Sequence, residues 1–259
     1  MLAKGVTKKL PGLERLYSYE EMTMDEKISL QDARMKETES IKAFVRNLGI
    51  DLVGIADMSL LQGIPSGLPG DAQTFLQKYP YAIVLGAQYK KVGDGKSGDA
   101  PALFLEQAAM ALMFHLTETS VYKALIVHTE DEFDPVHRIG LLSLKALAKG
   151  AGLGWQGRSL LTVSPIYGPI HRLVAVLTDA PLQADPLVPN QCGDCTLCVD
   201  KCPYGALTVI QFDDHPERRE DVLDLEKCRG DFGCKVCIMV CPWMKIRENK
   251  CNCTASQDP

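Results

Sequence analysis

The sequence predicts an α+β protein in two parts: a body of helices and strands, followed by a cysteine-rich unit. Apolar runs typical of buried strands alternate with helical patterns up to residue 191. All ten cysteines lie further on, between Cys192 and Cys253. The predicted parts are an extension over 1–24, a body over 25–185, the cysteine-rich unit over 186–245 and a tail over 246–259.

The body is predicted to begin with a helix from about Asp25 to Leu48. Gly49 follows it in the usual position of a helix C-terminal cap. Short apolar runs, bounded by polar residues and glycines, then predict four strands. These strands cover residues 52–56, 82–87, 123–128 and 172–178.

Two further helices are predicted between the strands. One starts at Pro101, because proline is favoured in the first turn of a helix. The other covers 139–150, where four apolar residues form one stripe before glycines end the helix. These residues are Leu141, Leu144, Leu147 and Ala148. The proline-containing segment 179–191 is predicted to link the body to the cysteine-rich unit.

Composition limits the partners and the compartment. The 259 residues include 28 basic and 33 acidic ones, a net charge of −5, so charge does not suggest a nucleic-acid partner. No apolar run reaches the ~20 residues that span a bilayer. The first 27 residues lack the apolar core of a secretory signal. We therefore expect a cytoplasmic protein that does not associate with membranes.

A glycine-rich stretch, AGLGWQGRSLL over 151–161, contains a literal G-x-G-x-x-G. A dinucleotide fingerprint leaves a strand and opens a helix, whereas this stretch follows a predicted helix and precedes a predicted strand. The glycines either turn the chain or, beside an indole and a cation, make room for a bulky cofactor. The candidate cofactor-binding residues are Gly152, Gly154, Trp155, Gly157, Arg158 and Ser159.

Two cysteine runs carry the strongest signal. The first has the spacing C-x2-C-x2-C-x3-C-P of bacterial ferredoxins, and the second has C-x5-C-x2-C-x3-C-P. In such proteins the fourth cysteine of a run binds the other cluster. The predicted ligands of one [4Fe–4S] cluster are Cys192, Cys195, Cys198 and Cys241. The predicted ligands of the second are Cys202, Cys228, Cys234 and Cys237.

Two alternatives for these eight cysteines are tetrahedral zinc sites and disulfides. Zinc ribbons use two C-x2-C pairs separated by a longer loop, which neither run contains. Cys251 and Cys253 lie outside both runs. They are either incidental thiols of a solvated tail or part of a third metal or redox site.

Polar residues after the strand 123–128 are candidates for substrate chemistry. His128 is followed by Asp134, His137 and Arg138. Histidine and carboxylate side chains at a strand end can exchange protons with a substrate, and arginine can hold an anion. We therefore predict Asp134, His137 and Arg138 as catalytic residues.

The order of these motifs resembles the epoxyqueuosine reductase family, with the reductive dehalogenases as more distant relatives. The resemblance covers about 40–245, and its most specific part runs from Leu147 to Leu182. It implies a nitroreductase-like body that holds cobalamin, with a flavin less favoured, and two clusters that deliver electrons to it. A low-potential protein would then supply the electrons.

Two departures from that family argue against a tRNA substrate. Arg138 stands where the family usually has an aspartate, and a guanidinium cannot donate that proton. The chain also ends soon after the second cysteine run. The sequence therefore predicts an iron–sulfur reductase of a small-molecule or modified-base substrate. The alternative is a ferredoxin-type electron-transfer protein without its own organic cofactor.

Overall fold

The computed structural model describes residues 23–50, 52–61, 76–87, 99–129, 142–169, 172–213 and 215–244. Within these ranges the chain forms helices α1 (Met24–Asn47), α2 (Asp99–Phe114), α3 (Leu144–Gly150), α4 (Leu197–Asp200), α5 (Arg219–Val222), α6 (Gly230–Gly233) and α7 (Val236–Met239). The strands are β1 (Leu52–Asp57), β2 (Tyr81–Ala87), β3 (Ala124–Val127), β4 (Trp155–Gln156), β5 (Thr162–Ser164), β6 (Gly168–Pro169) and β7 (Arg172–Thr178). The α+β class is confirmed.

Helix α1 is fixed at both ends by its sequence. The Thr23 hydroxyl accepts a hydrogen bond from the Glu26 amide, and the Glu26 carboxylate accepts one from the Thr23 amide, which completes a capping box. After the helix, Gly49 adopts a φ of 89°, in the region that glycine reaches without strain. The predicted helix from Asp25 to Leu48 is confirmed to within one residue at each end.

A four-stranded antiparallel sheet forms the centre of the body, in the order β1-β2-β7-β3. Its strands are buried on both faces, and successive side chains belong to opposite apolar layers. Ile83 and Leu85 of β2 pack with α1 and α2, whereas Ala82 and Val84 pack with α3. All four predicted strands are present, each within one residue of its predicted ends.

The helix predicted over 139–150 is shorter than the sequence indicated. Its described part begins at Leu144, because the Ser143 hydroxyl accepts a hydrogen bond from the Ala146 amide and caps the helix there. Leu142 lies outside the helix, so the prediction that it was helical is wrong. Residues 139–141 lie outside the described ranges. Leu147 and Ala148 are buried, as the apolar stripe predicted.

The predicted linker contains no helix or strand, yet it is bonded firmly to the body. The Asp185 carboxylate accepts hydrogen bonds from Lys42 Nζ at 2.6 Å and from the Ile55 amide at 2.8 Å. Thr38 Oγ1 accepts a further bond from the Gln183 amide at 2.9 Å. Through these contacts α1 and β1 fix the segment that leads to the cysteines.

Within the described ranges, no helix is both long and apolar enough to cross a bilayer.

Candidate functional site: the glycine turn and the cysteine unit

The glycine-rich stretch connects α3 to the small antiparallel sheet β4-β5-β6. Gly152 has a φ of 66° and lies against the linker, where an added Cβ would come within 2.5 Å of the Pro186 carbonyl oxygen. At Gly154 an added Cβ would lie 2.0 Å from the Val163 carbonyl oxygen. The space that the missing side chains leave is thus filled by the chain's own backbone.

Trp155 lies in the body, in β4, and contacts the cysteine unit. Its side chain is 1% exposed, and the indole Nε1–H donates a hydrogen bond to Cys192 Sγ at 3.4 Å. The ring also packs edge-on against Trp243, with centroids 4.9 Å apart and an interplanar angle of 74°. The indole therefore lies against a predicted cluster ligand.

Arg158 is 5% exposed and also contacts the cysteine unit. Its guanidinium donates hydrogen bonds to the Gly193 carbonyl oxygen at 2.9 Å and to the Val209 carbonyl oxygen at 3.1 Å. Its Nε is buried with no hydrogen-bond partner among the described residues. Arg158 thus joins the glycine turn to two separate segments of the unit.

A cavity of about 190 Å³ lies beside this arginine. It is lined by Arg158, Asn190 and residues 192–194 and 210–213. Its volume is below the ~300–1,000 Å³ typical of pockets that hold drug-sized ligands. Ser159, the last residue of the predicted cofactor set, is half-buried.

Asn190 is a structural residue that the sequence analysis missed. Its side-chain amide donates to the carbonyl oxygens of Gln156 and Phe212, both at 3.3 Å, and its Oδ1 accepts from the Cys192 amide at 2.9 Å. The signal was present in the sequence, because an asparagine side chain commonly accepts a hydrogen bond from the backbone amide two residues further on, as in an Asx turn. Asn190 fixes Cys192 beside β4.

The electrostatic contacts of the first four predicted ligands link them in space. Burial, together with the neighbouring sulfurs of Cys192, Cys237 and Cys195, raises the pKa of the Cys198 thiol to about 11, although Cys237 is a predicted ligand of the other cluster. Burial also raises the pKa of Cys241, and Cys192 and Cys195 again contribute. Cys241 therefore lies near the first run of cysteines, although it belongs to the second run.

The other four predicted ligands form a matching group. Burial, together with the neighbouring sulfurs of Cys234, Cys228 and Cys202, raises the pKa of Cys237 to about 11. Burial raises the pKa of Cys202 as well, but hydrogen bonds from the backbone amides of residues 204–207 outweigh it and lower the pKa. The Ala206 amide lies 3.3 Å from Cys202 Sγ. Cys202 thus lies near the second run of cysteines.

This arrangement fits two iron–sulfur clusters. All eight cysteines are free thiols and half-buried, and none forms a disulfide. At Cys198 and Cys237, where the pKa is raised to about 11, bound iron must displace the thiol proton to form the thiolate ligand. Among the described residues, no group of three or more His, Cys, Asp or Glu side chains is arranged around a single metal ion. Cys251 and Cys253 lie outside the described ranges.

The three predicted catalytic residues, Asp134, His137 and Arg138, also lie outside the described ranges. The residues just before them are described. His128 Nδ1 lies 2.7 Å from the Glu106 carboxylate, which also accepts a hydrogen bond from the Thr129 amide at 2.7 Å. Glu106 of α2 therefore orients an imidazole at the end of β3, a partnership that the sequence analysis did not predict.

Both parts of the chain are similar to known proteins. A family model described as a 4Fe-4S dicluster domain matches residues 191–245. The epoxyqueuosine reductase of Aliivibrio fischeri is 33% identical over 252 residues, which cover 81% of this chain and 67% of that protein. The chain spans only 36% and 63% of the lengths of the epoxyqueuosine reductases of Leadbetterella byssophila and Bacillus anthracis.

Two solved structures share the fold. An epoxyqueuosine reductase bound to an epoxyqueuosine-modified tRNA stem loop has a TM-score of 0.56 at 20% identity, covering 81% of this chain and 66% of that one. A reductive dehalogenase, whose structure suggests a mechanism for B12-dependent dehalogenation, has a TM-score of 0.59 at 19% identity. It covers 84% of this chain and 34% of the dehalogenase.

Proposed function

This chain belongs to the epoxyqueuosine reductase family, and on that premise we propose that it is an iron–sulfur reductase. Its two [4Fe–4S] clusters would pass electrons to a cobalamin held by a nitroreductase-like body. The observation that carries this proposal is the pairing of the cysteines across the two runs. Cys241 lies near the first run and Cys202 near the second, as two ferredoxin-type clusters require.

The eight cysteines of the two runs supply the four thiolate ligands that each [4Fe–4S] cluster needs. Cys192, Cys195, Cys198 and Cys241 would hold one cluster, and Cys202, Cys228, Cys234 and Cys237 the other. When bound, the two clusters would each supply one electron at low potential. The protein's part is to bury the thiols, which limits solvent access, and to direct the amides of residues 204–207 at Cys202.

Four of the six residues predicted to border the cobalamin contact the chain itself in their described positions, and the cavity beside Arg158 is smaller than pockets for drug-sized ligands. Gly152 and Gly154 face backbone, Trp155 faces Cys192, and Arg158 faces carbonyl groups of the cysteine unit. The cobalamin proposal is supported by the family and by the B12-dependent dehalogenase fold, and a flavin is less favoured.

For the substrate, the family favours a modified base in tRNA over a free small molecule, because a relative was solved with an epoxyqueuosine-modified stem loop. Removing the oxygen of an epoxide as water consumes two electrons and two protons and leaves a carbon–carbon double bond. Two one-electron clusters match this demand. The net charge of −5 by itself favours a small-molecule substrate. We give the tRNA-bound relative more weight, because binding RNA phosphates requires only a local basic patch and not a basic protein.

The protons require an acid, and the polar segment after β3 would supply it. Asp134 and His137 remain candidates, and Arg138 suits an anion contact. His128 adds a third candidate, because Glu106 holds its Nδ1 and leaves Nε2 available to a substrate. An H128A variant should lower turnover by about 100-fold, a typical effect of removing a general acid, with unchanged iron content.

The direct test is a reduction assay under strict exclusion of oxygen. The protein, added cobalamin and a chemical reductant would be mixed with a stem loop that carries epoxyqueuosine, and mass spectrometry would follow loss of one oxygen from the base. We expect conversion by the wild type and none by C198S, which lacks a predicted cluster ligand. Full iron content with no corrinoid or flavin binding and no conversion would contradict the reductase.

That same outcome would favour the second candidate, a ferredoxin-type electron-transfer protein with no organic cofactor. The specific observation behind it is that the described residues of the predicted cofactor set contact the chain itself. Such a protein would exchange electrons with a low-potential partner protein.

A further inference from the structure

We propose that Trp155 sets the reduction potential of the cluster held by Cys192, Cys195, Cys198 and Cys241. The proposal rests on the cluster assignment above. The indole Nε1–H donates to Cys192 Sγ at 3.4 Å, a normal length for a hydrogen bond to sulfur. Because tryptophan carries a donor and no acceptor, the sulfur can only be the acceptor.

The indole is held in this position from several sides. It is 1% exposed, it packs edge-on against Trp243, and its backbone pairs with Val163 in the β4–β5 ladder. The sulfur is positioned as well, since Asn190 accepts a hydrogen bond from the Cys192 amide and donates one to the Gln156 carbonyl oxygen. The donor and the acceptor are therefore fixed relative to each other before any electron arrives.

The direction of the effect follows from charge. Reduction adds one negative charge to the cluster, part of which resides on the cysteine sulfurs. An N–H dipole directed at such a sulfur stabilises the reduced form more than the oxidised form, and burial strengthens this interaction. Trp155 should therefore raise the reduction potential of this cluster. An electron shared between the two clusters would then favour this one, which lies where the unit contacts the body.

The described hydrogen bonds to the two groups of cysteines come from different donors, so a side-chain substitution can remove the bond in one group only. Cys202, in the second group, accepts its described hydrogen bonds from backbone amides, which side-chain substitution leaves in place. Cys192 accepts one from a side chain. Replacing that side chain by phenylalanine keeps an aromatic ring in the buried position and removes only the donor.

The experiment compares wild type, W155F and W243F by redox titration monitored by electron paramagnetic resonance, with iron and sulfide measured in each. In W155F the reduction equilibrium constant of one cluster should fall about five- to tenfold, as loss of one hydrogen bond predicts, and 59 mV corresponds to tenfold for one electron. The other cluster should be unchanged. W243F is the matched control, because it makes the same Trp-to-Phe change in the neighbouring ring, keeps an aromatic ring against Trp155 and leaves the Trp155 donor, and both its potentials should stay near wild type.

A second measurement needs no variant at position 155. Protein labelled with ¹⁵N in the tryptophan indoles, of which the chain has two, should show hyperfine coupling between ¹⁵N and one reduced cluster. W243F should retain that coupling, because the coupled nitrogen belongs to Trp155. Clusters of normal content with unchanged W155F potentials, or with no ¹⁵N coupling, would overturn the role of Trp155 alone. A wild type without clusters would overturn the assignment of the clusters too.

Discussion

Single polar side chains at the edge of the body hold the linker that leads to the cysteines. Asp185 accepts hydrogen bonds from Lys42 Nζ and from the Ile55 amide, and the Lys42 side chain is only 9% exposed. Removing one partner of a partly buried, hydrogen-bonded ion pair costs more than breaking a solvated pair, because the remaining charge is left uncompensated. The exposed pair between Lys123 and Asp179, at 3.7 Å, provides the contrast.

K42M should therefore destabilise the protein, because it leaves the Asp185 carboxylate half-buried without its cation. We expect the free energy of unfolding to fall by about 2–3 kcal/mol, as for a lost hydrogen bond to a charged group. K123A is the matched control and should change it by less than about 1 kcal/mol. Anaerobic urea unfolding measures both, and equal effects would contradict the structural role of Asp185.

Gly154 tests how closely the glycine turn packs on itself. In G154A the added methyl group would meet the Val163 carbonyl oxygen at 2.0 Å, so β4 and β5 could not keep their pairing. We expect a loss of about 3 kcal/mol or more in unfolding free energy. In G230A, where φ is 66° and no atom lies within 4 Å of the added Cβ, only backbone strain of about 1–2 kcal/mol should appear. Similar losses in both variants would mean that the close contact with Val163 costs no more than the backbone strain at position 230, and would contradict tight packing at Gly154.

At the scale of elements, patterns that depend on near neighbours predicted the structure well. The strands were found because apolar runs with turn residues at their ends are local signals, and β7 matches residues 172–178 throughout. The predicted start of α3 was wrong because the apolar stripe extends N-terminal to Ser143, whereas the Ser143 side chain caps the helix and makes Leu144 its first residue.

The partners of the glycine turn could not be predicted in the same way. The backbone that fills the space beside Gly152 and Gly154 comes from Pro186 and Val163. Likewise, the acceptors of Arg158 come from residues 193 and 209. No periodicity connects positions so far apart, so a turn that packs on its own chain has the same sequence signal as one that packs on a ligand.

Arg158 should act as a clamp between the glycine turn and the cysteine unit. In R158K the ammonium group, a single point charge, cannot reach both carbonyl oxygens as the planar guanidinium does. We expect faster hydrogen exchange over residues 190–213 and unchanged exchange in β2 and β7, measured by mass spectrometry. K201A, which changes an exposed lysine of the unit, should leave exchange as in wild type. If hydrogen exchange over residues 190–213 in R158K matched that of wild type, Arg158 would not be what holds this segment.

At the scale of the whole molecule, we propose that the two runs of cysteines interlace, each lending its fourth cysteine to the cluster of the other run. This follows from the sequence only through the ferredoxin spacing rule, because local pattern does not place Cys241 near Cys192. In the structure, burial dominates the raised pKa of Cys241, and Cys192 and Cys195 add to it. With this assignment, loss of one ligand should affect one cluster and leave the other in place.

Serine variants test this interlacing. C241S and C198S should lose the same paramagnetic signal and about half of the iron, because both cysteines would bind one cluster. C202S and C237S should lose the other signal. C251S, outside both runs, is the control and should keep both signals. If C241S instead shared its loss with C237S, each run would hold its own cluster and the interlacing would be wrong.

The most direct measurement of the central claim is elemental analysis of wild-type protein purified without oxygen. We predict about eight irons and eight sulfides per chain, no stoichiometric zinc, and an absorption band near the visible range that bleaches on reduction. Four-thiolate zinc sites or disulfides in place of iron, in protein never exposed to air, would contradict the account.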